Sequence, residues 1–147
     1  MKDASDRLVS DIESLAQLGS NVTEYKQQGP SAAMLETFKN PQPERDFVIN
    51  HDFGEFTSLC PKTGQPDFAK ILIKFIPHQL CVETKSLKLY FFAYRNEGTF
   101  MEAICNQIMK DLIVAMDPKW IHVEAAFAPR GGIHTTIDCE HTRNPIE

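Results

Sequence analysis

Cysteine is sparse and scattered. Cys60, Cys81, Cys105 and Cys139 are the only four in 147 residues, and no two form a Cys-x-x-Cys pair. That spacing excludes the disulfide framework of a small secreted domain and the ligand set of a zinc ribbon, and it leaves free thiols. No apolar run reaches the ~20 residues that a membrane-spanning helix needs. The first residues, with Asp3, Asp6 and Asp11, lack the apolar core of a signal peptide, so a cytosolic protein is expected. Positive charge is in deficit: the formal net charge is -5 and the pI near 5.5, which argues against a general nucleic-acid or anionic-membrane surface. There is no internal repeat, and no Gly-x-Gly-x-x-Gly turn, so neither a fused two-module chain nor a Rossmann domain is indicated. What is present, 42% hydrophobic and 24% charged residues, suffices for the core of a single domain over residues 1–147.

The periodicity of the chain changes along its length. Leu8, Ile12 and Leu15 recur at helical spacing, with Ser5 able to cap the start and Gly19 to stop it, so residues 5–18 read as an amphipathic helix. Residues 21–45 turn to loop composition, with one helical turn expected around residues 32–38, and residues 1–45 form an N-terminal helix and loop extension. From Arg45 the period becomes two. Two antiparallel strands are expected, separated by a turn at Phe53-Gly54, the second ending at Cys60. Ile71, Ile73 and Phe75 then line one face of a strand over residues 68–76, and a long strand covered on both faces is expected over residues 80–94. Ile104, Ile108, Leu112 and Met116 form a helical stripe that stops at Asp117-Pro118, and Thr99 to Glu102 has the spacing of a capping box. Two strands, 120–129 and 133–139, joined at Arg130-Gly131-Gly132, close the chain. A strand-rich chain with one principal helix makes an α+β domain built on an antiparallel sheet.

The chemistry concentrates where the second strand breaks. Pro61, Gly64 and Pro66 forbid both regular helix and a continuing strand, so Cys60 sits at a strand end and the loop can return the Asp67 carboxyl toward its sulfur. A thiol and a carboxyl are a nucleophile and an acid. An ordinary turn beside a buried cysteine has the same composition. His134, Cys139 and His141 make a metal-like trio near the chain end, which a polar strand face explains better.

Four stretches taken in order resemble a known family. They are Cys60 to Asp67; Val82-Glu83-Thr84-Lys85-Ser86-Leu87-Lys88-Leu89-Tyr90; Tyr94 to Gly98 with Phe100 and Glu102; and Pro129 to Gly132. The chain from about residue 47 to 137 is similar to the 7-cyano-7-deazaguanine reductases, the nitrile reductases of queuosine biosynthesis, and the Glu-x-Lys-Ser-x-Lys-x-Tyr run is the most specific element. The resemblance implies the tunnelling fold: an antiparallel sheet with helices on one face, which oligomerises into a barrel with sites between subunits. It implies a four-electron reduction of a nitrile to an aminomethyl group by two NADPH as co-substrate, with no metal. Cys60 would attack the nitrile carbon to give a thioimide and Asp67 would protonate the nitrogen. That assignment requires a lowered pKa for Cys60 and a raised one for Asp67.

The resemblance assigns Glu83 and Glu102 to the polar edge of the deazaguanine, with Val82 and Thr84 adding contacts, and Lys85, Ser86, Lys88, Arg130 and Gly131 to the NADPH phosphates. Read without it, Glu102 completes a capping box, Glu83 is a solvated strand residue, and the lysines form one solvated face. Met101 stands where many members have histidine and is expected to lie over the base as an apolar contact; Thr84 replaces a serine common in the signature. Three other readings fit the scaffold: an amidinotransferase acting on a nitrile-bearing base in tRNA, a zinc cyclohydrolase, and a non-catalytic ligand-binding protein. The acidic surface and the weak metal set argue against the first two.

Overall fold

The computed structural model describes residues 29–144, so the helix expected over residues 5–18 lies outside the described residues. Strands β1 (Thr37–Lys39), β2 (Ile49–Leu59), β3 (Pro66–Ile76), β4 (Leu80–Val82), β5 (Trp120–Arg130) and β6 (Ile133–Thr142) combine with helices α1 (Thr84–Phe92) and α2 (Met101–Met116). The long strands form one antiparallel sheet in the order β2-β3-β5-β6, and β1 pairs with β4 in a separate two-stranded ribbon.

Alternation on the strands explains the layers. Ile71, Ile73 and Phe75 of β3 and Ile121, Val123, Ala125 and Phe127 of β5 are buried on one face. Ile104, Ile108, Leu112 and Met116 of α2, all on one helical stripe, close over them. Each of these side chains contributes ~1.5–3 kcal/mol by leaving water. The other sheet face is polar, held by Lys70–Asp52 (2.8 Å), His122–Asp138 (2.8 Å) and Trp120 Nε1 donating to Glu140 (2.7 Å). Asp117 ends α2 in the left-handed conformation (φ 41°), its N–H donating to the Ile113 carbonyl before Pro118 bars any continuation.

Four expectations change. Residues 80–94 are a three-residue strand followed by a helix. The Glu83 carboxylate accepts from the backbone N–H of Lys85 (2.7 Å) and Ser86 (2.8 Å), capping α1, and Ser86, Leu87, Tyr90 and Phe91 recur at helical spacing on its buried side. Residues 49–59 are one strand: Phe53 and Phe56 flank a register shift, so Gly54 marks a bulge and not a turn. The helical turn near residue 32 is a 3₁₀ turn, Ala32–Met34, and the chain then enters β1. Phe100 is the N-cap residue of α2 and no side chain caps that end, so Thr99 and Glu102 do not form a capping box. The closing hairpin forms as its sequence requires: Gly131 (φ 55°) and Gly132 (φ 81°) supply the two positive-φ residues of the turn.

A buried polar chain joins the helices. Tyr90 donates to Asp111 Oδ2 (2.7 Å), the Tyr94 hydroxyl lies 2.9 Å from that of Tyr90, and Gln107 donates to Asp111 Oδ1 (2.8 Å). Burial first, and then the neighbouring Tyr94, push the Tyr90 hydroxyl far above an ordinary tyrosine pKa, so it stays a donor.

Candidate active site

Cys60 is the first residue beyond β2 and opens a tight loop to β3. Its N–H donates to the Gln65 carbonyl (2.8 Å), its carbonyl accepts from Gly64 N–H (2.9 Å), and Gly64 supplies the positive φ (70°) that lets the chain reverse. Thr63 Oγ1 also accepts from Gln65 N–H at 3.3 Å. Pro66 is the first residue of β3, a position where the missing N–H costs nothing. The register pairs Ser58 with Asp67, so Asp67 returns on the face that Cys60 shares, two residues after Ser58. Asp67 is 6% exposed.

A second segment clamps the strand end. Leu59 N–H donates to the Glu97 carbonyl (2.9 Å) and Thr99 N–H to the Leu59 carbonyl (3.0 Å), making a parallel bridge between Leu59 and Gly98. Gly98 is required by closeness: a Cβ there would lie 3.2 Å from the Pro61 Cα. The bridge delivers the first turn of α2 to Cys60. Cys60, Pro61, Asp67, Thr99, Phe100, Met101, Glu102 and Arg130 line one cavity of about 170 Å³.

Arg130, at the end of β5, reaches into this cavity and forms an ion pair with Asp67 through Nη2. A buried carboxylate needs such a partner. The Cys60 thiol is pushed down to about 7, chiefly by the Thr63 hydroxyl, then by the backbone N–H groups of Thr63 and Lys62, with Arg130 adding to them and burial opposing. A thiol in that state is about half ionised at pH 7, and the thiolate is the nucleophile.

Cys60, Asp67, Met101, Glu102 and Arg130 therefore meet in one place, with Gly131 in the adjoining turn. Val82, Glu83, Thr84, Lys85, Ser86 and Lys88 sit at the β4–α1 junction and line none of this cavity. Their environments differ from those of strand residues. The backbone N–H groups of Lys85 and Ser86 hold the Glu83 carboxyl below its ordinary pKa. Val82 is buried. Ser86 Oγ accepts from Glu36 N–H (3.0 Å) and donates to the Glu83 carbonyl (2.8 Å), which commits its hydroxyl to the fold. Lys85 and Lys88 are exposed one turn apart on the same helix. In β6, His134 faces away from Cys139 and His141, and among the described residues no trio of His, Cys, Asp or Glu could hold a metal. Thr63 belongs to the site without having been singled out, and Pro61 and Thr99, expected only as a strand breaker and a helix cap, line the cavity. Thr63 was legible as the one hydroxyl inside the loop that follows Cys60, whereas the bridge that brings Thr99 leaves no trace in composition.

The family model described as "QueF-like protein" matches residues 66–145. A protein of Methylobacillus flagellatus named NADPH-dependent 7-cyano-7-deazaguanine reductase is 57% identical over 114 residues, 78% of this chain and 81% of the relative. One of Alkaliphilus metalliredigens with the same name is 50% identical over 137 residues, 93% and 82% of the two chains. The crystal structure of an apo archaeosine synthase QueF-Like aligns with a TM-score of 0.59 at 17% identity, covering 73% of this chain and all of that one, and so shares the tunnelling fold. With Cys60, Asp67 and Glu102 in one cavity and identities of this size across most of both chains, the protein belongs to the QueF-like family and, within it, to the NADPH-dependent 7-cyano-7-deazaguanine reductases.

Proposed function

We propose that this chain reduces the nitrile of 7-cyano-7-deazaguanine to the aminomethyl group through a thioimide on Cys60, as a cytoplasmic single-module enzyme of queuosine biosynthesis. The observation that carries the reading is Cys60 beside Asp67 in one cavity with Glu102, where the Thr63 hydroxyl lowers the thiol toward 7. The thiolate adds to the nitrile carbon while Asp67 delivers a proton to nitrogen, giving a neutral thioimide. Two NADPH supply the two hydrides that the four-electron change requires. Between the hydride additions the C–S bond breaks, so Cys60 leaves as thiolate and is recovered unchanged.

Glu102, in the first turn of α2, is the carboxylate that accepts from the amide and amino edge of the base, and Met101 covers its ring. Lys85 and Lys88 fit phosphate binding: both ammonium groups are exposed on one face, and neither forms a salt bridge among the described residues. Glu83, with Val82 and Thr84, meets the base from the β4–α1 junction. Such a division supports a site completed by a second copy of the chain. The cavity of one protomer, about 170 Å³, is below the ~300–1,000 Å³ of small-molecule sites, Phe100 on its rim is 66% exposed, and β2 and β6 are unpaired edges among the described residues of one protomer.

The test is to mix protein with 7-cyano-7-deazaguanine, follow thioimide absorbance, then add NADPH and count its oxidation, with Cys60→Ala and Asp67→Asn alongside. Adduct followed by two NADPH per nitrile is expected. Cys60→Ala should form none, and Asp67→Asn should slow adduct formation by ~10²–10⁴-fold. Adduct without NADPH oxidation would turn the reading to an amidinotransferase, and no adduct in the wild type would sink it.

A further inference from the structure

Arg130 turns its inner nitrogens into the cavity although its side chain as a whole is 38% exposed, a placement that phosphate binding does not require. Its Nη2 pairs with Asp67 Oδ1, its Nε is buried with no hydrogen-bond partner among the described residues, and Arg130 lines the same cavity as Cys60. Lys85 and Lys88, the other candidates for phosphate, do not line this cavity. We propose that Arg130 is a catalytic residue of the thiol-addition step, the fixed cation against which one negative charge moves between Asp67, Cys60 and the substrate nitrogen.

The step balances without any other reactant. The Cys60 thiol gives its proton to the Asp67 carboxylate, and the sulfur becomes the anion. Sulfur then bonds to the nitrile carbon as one π pair of the triple bond moves onto nitrogen, and that nitrogen takes the proton from Asp67. The carboxylate is restored, S–H has added across C≡N, and nothing is oxidised or reduced. Across these steps the thiol, Asp67 and the nitrile nitrogen share one negative charge within reach of one guanidinium, Glu102 being the second carboxylate of the cavity, and a preorganised cation meets such a charge without reorganising. The unpartnered Nε is the donor left for the nitrogen on which charge develops. A lysine would supply charge but not the fork that spans two acidic groups.

The inference rests on the nitrile-reductase reading, and two measurements keep their failures apart. Arg130→Met and Arg130→Lys are compared with wild type for thioimide formation without NADPH, for the KM of NADPH, and for Cys60 ionisation followed at 240 nm against Cys60→Ala. Arg130→Met is expected to slow adduct formation on the order of 100-fold, to leave the NADPH KM within about 2-fold, and to move Cys60 ionisation to higher pH. Arg130→Lys is expected to fold if Arg130→Met does not, and to lose about 10-fold in adduct formation. A raised NADPH KM with adduct formation unchanged would make Arg130 a phosphate ligand and overturn the proposal, as would no change in either. If wild type forms no adduct, the nitrile reading has failed, and the 240 nm titration still decides: an unmoved midpoint removes Arg130 from the thiol's chemistry.

Discussion

Replacing Gly98 by alanine adds one methyl at the contact between the Glu97–Thr99 segment and the Cys60 loop. Gly98 is not among the positive-φ glycines, so alanine adopts its backbone without strain. The new Cβ would stand 3.2 Å from the Pro61 Cα, against ~3.5–4.0 Å for a comfortable carbon pair, so the two backbones must part by ~0.3–0.8 Å. Neither side yields easily, because the Leu59–Glu97 and Thr99–Leu59 hydrogen bonds, 2.9 and 3.0 Å, tie them together. Overpacking of this kind costs ~1–3 kcal/mol, and the lost freedom of the unfolded chain returns ~0.4–1 kcal/mol. A reacting group misplaced by 1 Å loses ~10²-fold in rate, so a shift of ~0.3–0.8 Å predicts a ~4–40-fold slower thioimide formation in Gly98→Ala. Stopped-flow single turnover measures it. Iodoacetamide alkylation of Cys60 is the control and should keep its wild-type rate, since the hydrogen bonds inside the 60–65 loop are untouched. A thioimide rate equal to wild type, whatever the Tm, would refute the idea that this contact aligns thiol and substrate.

Other outcomes follow from the same geometry. With a midpoint near 7, Cys60 is about one-tenth ionised at pH 6 and about nine-tenths at pH 8, so alkylation and adduct formation should rise roughly ninefold between them and then level off. Thr63→Val removes the hydroxyl that does most to lower the thiol, so its profile should move to higher pH, while Thr63→Ser restores it; a profile unchanged in Thr63→Val would contradict this. Tyr90→Phe leaves Asp111 Oδ2 and the Tyr94 hydroxyl without their partner, at a cost of ~1–3 kcal/mol. Thermal unfolding should fall by several degrees, and a Tm within a degree of wild type would show that the buried chain tolerates the loss.

The sequence carried the catalytic hairpin, α2 and the closing hairpin because each is written locally: Pro61, Gly64 and Pro66 around the loop, a four-residue apolar stripe, and Gly131-Gly132. Residues 84–92 misled because apolar residues fall on nearly every side. Leu87, Leu89 and Phe91 satisfy a period of two, while Leu87, Tyr90 and Phe91 satisfy a helix, and what decides between them is Glu83 turning back onto two backbone N–H groups. Gly54 misled in the opposite way, as a bulge within a strand carries the same residue as a turn between strands. At the site, Asp67 and Cys60 were readable because one short loop joins them. The pairing of Arg130 with Asp67 was not, because it depends on β5 lying beside β3, a long-range register that no spacing encodes.

The pairing of Ser58 with Asp67 across the catalytic hairpin has a consequence for chain length. Side chains on a strand alternate, so the loop between Cys60 and Pro66 acts as a parity device: deleting or inserting one residue among positions 62–65, with the rest of β3 held in place by its core face, would force Asp67 either to slide one step or to point through the sheet toward the polar side. Removing two residues at once would preserve the face and lose only reach. By that arithmetic the loop tolerates even-numbered length changes better than odd ones, whereas the Gly131-Gly132 turn, which presents Arg130 from one strand only, is free of it.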